Sequence, residues 1–262
     1  MLFLISFTSV ISLACVLPAD NQEEALSVEL RVSPVIGEIA SVKILPAEKA
    51  HAAASLLSIV DQEDITPDDR VLLDKVLRWM PPVCRNQLKH LVVRYDPKAE
   101  RGQATASAII LRGGMAKSET TSVLIHECGH VIDLGAYKGT MSSGESRFPD
   151  GETPTYNDDP SVEFYAISWQ NSLMRKSSAG KSDFVSGYAM KDPWEDAGES
   201  IVYYALHKEK FTERAEKNEA LAQKLAWVEA YVFGPSFKTA ESGAWDGEIV
   251  WDVTKMEHGL SF

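Results

Sequence analysis

The spacing of hydrophobic and polar positions changes several times along the chain's 262 residues. Alternation over Ser27 to Val32 and again over Glu38 to Leu45 predicts two half-buried strands. Helical spacing of apolar residues predicts helices over residues 49–60 and 68–80. Thr66-Pro67-Asp68-Asp69 supplies the second of these with an N-cap, a proline in its first turn and acidic residues at the positive end of its dipole. Pro81-Pro82 stops it. His90 to Tyr95 (HLVVRY) and Thr105 to Arg112 (TASAIILR) read as strands. The apolar stretch from Ser118 to Leu134 predicts the central helix, with Ser118 as cap and Gly135 as stop. Residues 135–160, rich in Gly, Ser, Pro and Asp, read as a long loop. Further helices are predicted over Ser161 to Met174, Pro193 to His207 and Phe211 to Phe233, with one or two short strands in the tail, such as Gly247 to Val253. Helices mixed with a few strands predict an α+β fold.

Composition adds a boundary and an exclusion. A chain 45% hydrophobic and 24% charged suits one globular domain, placed at 61–262, behind a short N-terminal appendage. The net charge of -12 and the lack of any Lys/Arg run argue against nucleic acid as a partner. Residues 1–19 carry no charge, and their apolar run fits a signal peptide or lipoprotein leader better than a membrane span. Secretion or a cell-envelope location follows as an expectation, with membrane attachment only through this N-terminal segment. Residues 20–60 read as a strand/helix segment or a propeptide-like region. Cys84 and Cys128 can pair in an oxidising compartment or remain two free buried thiols, and the latter reading is preferred here.

The chemistry-bearing segment is HECGH, His126 to His130. Positions i and i+4 lie on one face of a helix, so the two imidazoles can share one Zn²⁺ ion. Glu127 stands beside the first of them, where a general base for a water molecule belongs. The flanks, Ser-Val-Leu-Ile and Val-Ile-Asp-Leu, make burial of these polar groups costly without partners. Cys128 falls off the metal face and reads as core packing. A third ligand decides the class. The metzincin pattern fails because Asp133 and Ala136 stand where its Gly and third His belong, and the aspzincin pattern fails at Ser143. In DPWEDAGESIVYY (Asp192 to Tyr204), Glu195 and Glu199 share one helical face, the gluzincin arrangement. Asp192, Pro193 and Glu195 also spell a helix cap, so Glu195 reads as ligand or cap, and Glu199 is the next candidate.

HECGHVIDLG followed by SGYAMKDPWEDAGES resembles the gluzincin group that includes the anthrax lethal factor catalytic domain and related bacterial zinc metallopeptidases. The likeness covers about residues 66–207 and rests on these two motifs. It implies His126, His130 and Glu195 as zinc ligands, Glu127 as catalytic base, and Tyr188 as a group steadying the oxyanion or leaving group. Glu199 falls on an acid behind the ligands, and Asp133 on an Asp that orients a ligand imidazole. The chain departs from the pattern at Gly198, at Asp196-Ala197 and at Cys128. The expectation is a zincin-like α+β domain, with the HExxH helix beside a small mixed sheet and a C-terminal helical subdomain. It would act as a zinc endopeptidase, with one Zn²⁺, on a peptide or protein substrate. Thr105 to Arg112, taken as an edge strand, would pair with that substrate. The alternative is a zincin-like binding domain that cuts nothing. His207 is expected at the surface or in the core, and Trp169 and Trp194 in the core.

Overall fold

The computed structural model describes residues 65–262, Asp246 excepted. The leader, the two early strands, the 49–60 helix and the domain boundary all lie outside the described residues.

Helix α1 (Pro67–Trp79) starts where Thr66 accepts the Asp69 N–H at 3.2 Å, and it buries Leu72, Leu73, Val76 and Leu77 as one stripe. The two prolines after it do more than stop it. Pro82 occupies the first turn of a second short helix, α2 (Pro82–Gln87), where a missing N–H costs nothing.

Strands β1 (His90–Arg94), β2 (Gly102–Ala104) and β3 (Ala108–Arg112) form one sheet in the order β1-β3-β2. β3 runs parallel to β1 and antiparallel to β2. Leu91, Val93, Ile109 and Leu111 alternate onto the buried face. This corrects the reading of Thr105 to Arg112 as a single edge strand. Thr105 Oγ1 accepts the Ala108 N–H at 3.2 Å, the chain reverses there, and β3 becomes the centre of the sheet with β2 at its edge.

Helix α3 (Lys117–Val131) carries HECGH and is buried from Thr120 through Gly129, packed by α1, the sheet and a later helix. Ala116, not Ser118, is at its N-cap; the Ser118 carbonyl instead accepts the Ser122 hydroxyl at 3.1 Å. The helix widens into a π turn, Ile132–Ala136. Gly135 belongs there for space, since a Cβ would lie 1.9 Å from the Ala106 carbonyl oxygen. Cys84 of α2 and Cys128 of α3 form a disulfide, which overturns the free-thiol reading.

Residues 137–159 are mostly loop, as predicted. Helix α4 (Pro160–Ser168) ends earlier than expected, because the chain turns at buried Trp169 into a hairpin of β4 (Trp169–Asn171) and β5 (Met174–Arg175). Helix α5 (Pro193–Ala215) runs on past His207, and α6 (Glu219–Trp227) starts afresh where the Asn218 side chain accepts the Leu221 N–H. Phe211 to Phe233 is therefore not one helix. The tail has no strand at 247–253; it holds an isolated bridge, Ser242 to His258, and one turn at Val253–Lys255. No helix among the described residues is long and apolar enough to cross a membrane.

His207 breaks the helical dihedrals inside α5 (φ -143°, ψ 35°) and is fully buried, with neither ring nitrogen hydrogen-bonded. The Ala205 carbonyl, near this break, accepts the Ala240 N–H at 2.9 Å. Burial, aided by His258 and Lys210, holds the His207 pKa down to about 4. The unfolded chain protonates near pH 6.5, so stability is complete above that and declines as pH falls toward 4. The loss amounts to about 3 kcal/mol. Denaturant unfolding at stepped pH should show this decline in the parent and a flatter profile in His207→Phe; parallel curves would refute it.

Candidate metal centre

The site is built where α3 and the first turn of α5 meet. Gly129 and Gly198 set the approach of the two helices: a Cβ on Gly129 would lie 3.1 Å from Gly198 Cα, and one on Gly198 would lie 3.0 Å from the His126 ring. Gly198 is thus a contact requirement as well as a helix-weakening residue.

Three donor atoms converge. His126 Nε2 lies 3.1 Å from His130 Nε2 and 3.0 Å from Glu195 Oε2, and His130 Nε2 lies 3.4 Å from the same oxygen. Ligands of a tetrahedral ion with bonds of about 2.0–2.1 Å stand about 3.3–3.4 Å apart. The triangle fits such an ion to within a few tenths of an ångström, and the group His126, His130 and Glu195 can hold a metal ion.

Cap and candidate ligand fall on different atoms of Glu195. Its backbone N–H donates to Asp192 Oδ1 at 2.8 Å, the cap half of the motif. Its side chain leaves the cap and faces the imidazoles, while its other oxygen, Oε1, accepts from Tyr188 Oη and Lys191 Nζ, each at 2.8 Å. Burial opposes charge on Glu195, but the two histidines outweigh it and hold the carboxyl well below its usual range. Burial likewise works to lower His126, and Glu195 and Glu199 outweigh it and hold the imidazole well above its ordinary value. The two displacements are two sides of one attraction between the imidazoles and the carboxylates around them. The next residue, Asp196, is anchored by a fully buried pair with Lys224 (2.7 Å) and by the Trp169 indole (3.0 Å), which fixes the turn that aims Glu195.

Glu199, fully buried, faces His126 Nδ1 at 3.2 Å and so backs a ligand imidazole. Its second oxygen accepts from Ser186 Oγ at 2.5 Å and from the Val253 N–H at 2.9 Å. Asp133 does not share this role. Both its oxygens accept the Tyr165 hydroxyl at 2.6 Å, and no hydrogen bond joins it to a ligand imidazole. It sits three residues past His130, where the chain opens into the π turn and its carboxylate swings toward α4. Burial raises its pKa to about 6.

Glu127 is buried on the cleft side of α3, against β2: a Cβ at Gly102 would lie 2.2 Å from Glu127 Oε1. Burial raises its pKa, with His126 and His130 opposing. Burial, then Glu195, pushes Tyr188 up to about 12, so its hydroxyl stays a donor. Arg101, Gly102, Glu127, Tyr188, Asp252 and Thr254 line a narrow cleft of about 70 Å³ beside the donors.

Along β2, Arg101 and Thr105 hydrogen-bond with β3, so by alternation Gly102 and Ala104 turn their N–H and C=O groups outward. Sequence reasoning missed Gly102, Lys191, Arg101, Ser186 and the tail. A signal existed for two of them: Lys191 stands four before Glu195, and a glycine opening the Gly102 to Arg112 stretch hints at close backbone approach. No protein-family model, curated protein or solved structure matches this chain.

Proposed function

We propose that the chain is a zinc-dependent endopeptidase of gluzincin type in a zincin-like fold. The observation that carries this reading is the donor triangle of His126, His130 and Glu195, with the buried carboxylate of Glu127 between it and an open strand edge. Two nitrogens and one oxygen, with a position left open, are the donor set of a catalytic rather than a structural zinc site. Zinc held there would lower the pKa of a water molecule to about 7 and polarise the scissile carbonyl.

The chain's own residues do the rest. The outward groups of Gly102 and Ala104 pair with an extended peptide and lay its carbonyl beside Glu127. Glu127 takes the proton of the attacking water and returns it to the leaving amine. Tyr188, kept protonated, turns its hydroxyl from Glu195 to the developing oxyanion. Lys191 keeps its ion pair with Glu195 Oε1 meanwhile. Glu199 holds His126 in one tautomer and orientation.

Metal content of the purified chain is the direct test. The parent should carry one zinc, Glu195→Ala should lose it, and Glu199→Ala should bind it about 10- to 100-fold more weakly. A parent that takes up no zinc, even when it is supplied, ends this proposal.

A further inference from the structure

The narrow cleft has a larger neighbour. A cavity of about 710 Å³ is lined by Trp245, Val250, Trp251 and Met256, together with the charged Asp252, Lys255 and Glu257. Asp252 also lines the metal cleft, so the two spaces share a wall. The tail that forms the cavity is registered to the site by its backbone. The Gly187 N–H donates to the Val250 carbonyl at 2.8 Å, the Tyr188 N–H to the Trp251 carbonyl at 2.6 Å, and the Val253 N–H to Glu199. Arg101, next to Gly102 on β2, bonds Asp252 and the Thr254 hydroxyl and ties the same segment to the substrate-pairing edge.

Trp251 of this tail combines a fixed position with exposure. Trp251 is 71% exposed, although its backbone is pinned and its ring lies across Gly187, where a Cβ would meet ring carbon Cε3 at 2.5 Å. An indole held in place with an open face offers apolar area that a ligand gains by covering. The cavity is of the size that takes a small ligand or a large side chain.

We infer that the cavity between Trp245 and Trp251 is a specificity subsite that receives a bulky apolar side chain of the peptide lying on β2. This rests on the peptidase reading for the identity of the occupant. Its lining is mostly apolar with charges of both signs, and it adjoins the segment whose carbonyl holds the Tyr188 N–H. An extended chain advances about 3.3 Å per residue, so a residue close to the scissile bond reaches a space that shares Asp252 with the cleft.

The test uses the full chain carrying Glu127→Ala, loaded with zinc, and short blocked peptides of Ala and Ser in which one Leu or Phe is moved through every position. One position should tighten binding about 10- to 100-fold over the unsubstituted peptide, the value of burying one such side chain. Adding Trp251→Ala should erase that gain without changing bound zinc. No favoured position, or a preference that survives both Trp251→Ala and Trp245→Ala, overturns the subsite. Incubating the favoured peptide with the Glu127 parent separates the two ideas. A favoured but uncut peptide keeps the subsite and removes the peptidase; cleavage without any preference does the reverse.

Discussion

A Glu127→Ala protein is expected to bind zinc at the parent's stoichiometry while its peptide hydrolysis falls about 10²–10⁴-fold. Glu127 gives no atom to the donor triangle, so its removal leaves His126, His130 and Glu195 in place. Its carboxylate sits in a gap that exists only because residue 102 has no side chain. From there it adjoins both the donors and the backbone edge proposed to take the peptide. Burial makes it a better base than an exposed glutamate, since a raised pKa brings its proton affinity closer to neutrality. Zinc assay beside kcat/KM on one peptide decides the point. Parent-level hydrolysis by the variant would remove the mechanism, and loss of zinc with activity would make Glu127 a ligand.

The double variant Cys84→Ala, Cys128→Ala is expected to be about 4 kcal/mol less stable than the parent, from a cross-link that spans 44 residues. For a domain of this size that lowers the melting temperature by roughly 10 °C. Both sulfurs are fully buried, so the native protein should resist a reductant that opens the bond readily in denaturant. The bond enters α3 between the two ligand histidines, so its loss also loosens the donors relative to α1, α2 and the sheet. Zinc affinity should therefore fall along with stability. Thermal melts of both proteins, with and without zinc, measure this. Melting temperatures within about 2 °C of each other would show that the packing around α3 suffices alone.

Much of this was readable from the chain. HECGH and the downstream acids name their own partners, because i, i+4 spacing is a local property that survives folding. The capping residues around Asp192 were equally legible, and Glu195 combines a capping backbone with a carboxylate that faces His126. What could not be read is what depends on distant chain. Thr105 to Arg112 looks like one strand until the Thr105 turn is known, and the error moves the sheet's edge from β3 to β2. Asp133 follows a motif position, yet the π turn and Tyr165 of α4 take it elsewhere. Cys84 and Cys128 give no sign of pairing, since their meeting depends on how α2 packs against α3. The tail's pattern suggested a strand at Gly247 to Val253 that does not form, and its contacts with Tyr188 and Glu199 are made by backbone groups that every sequence possesses.

The unpaired edge of β2 carries a hazard as well as a use. A row of free N–H and C=O groups is a template for another copy of the same chain, and long bare edges seed aggregates. Here the row is two residues long, Gly102 and Ala104, closed at one end by the ion-paired Arg101 and at the other by the Thr105 turn. A passing peptide can align on so short a row when a metal site stands beside it. Its shortness also offers few registers to a second strand, which limits growth of a sheet from this edge.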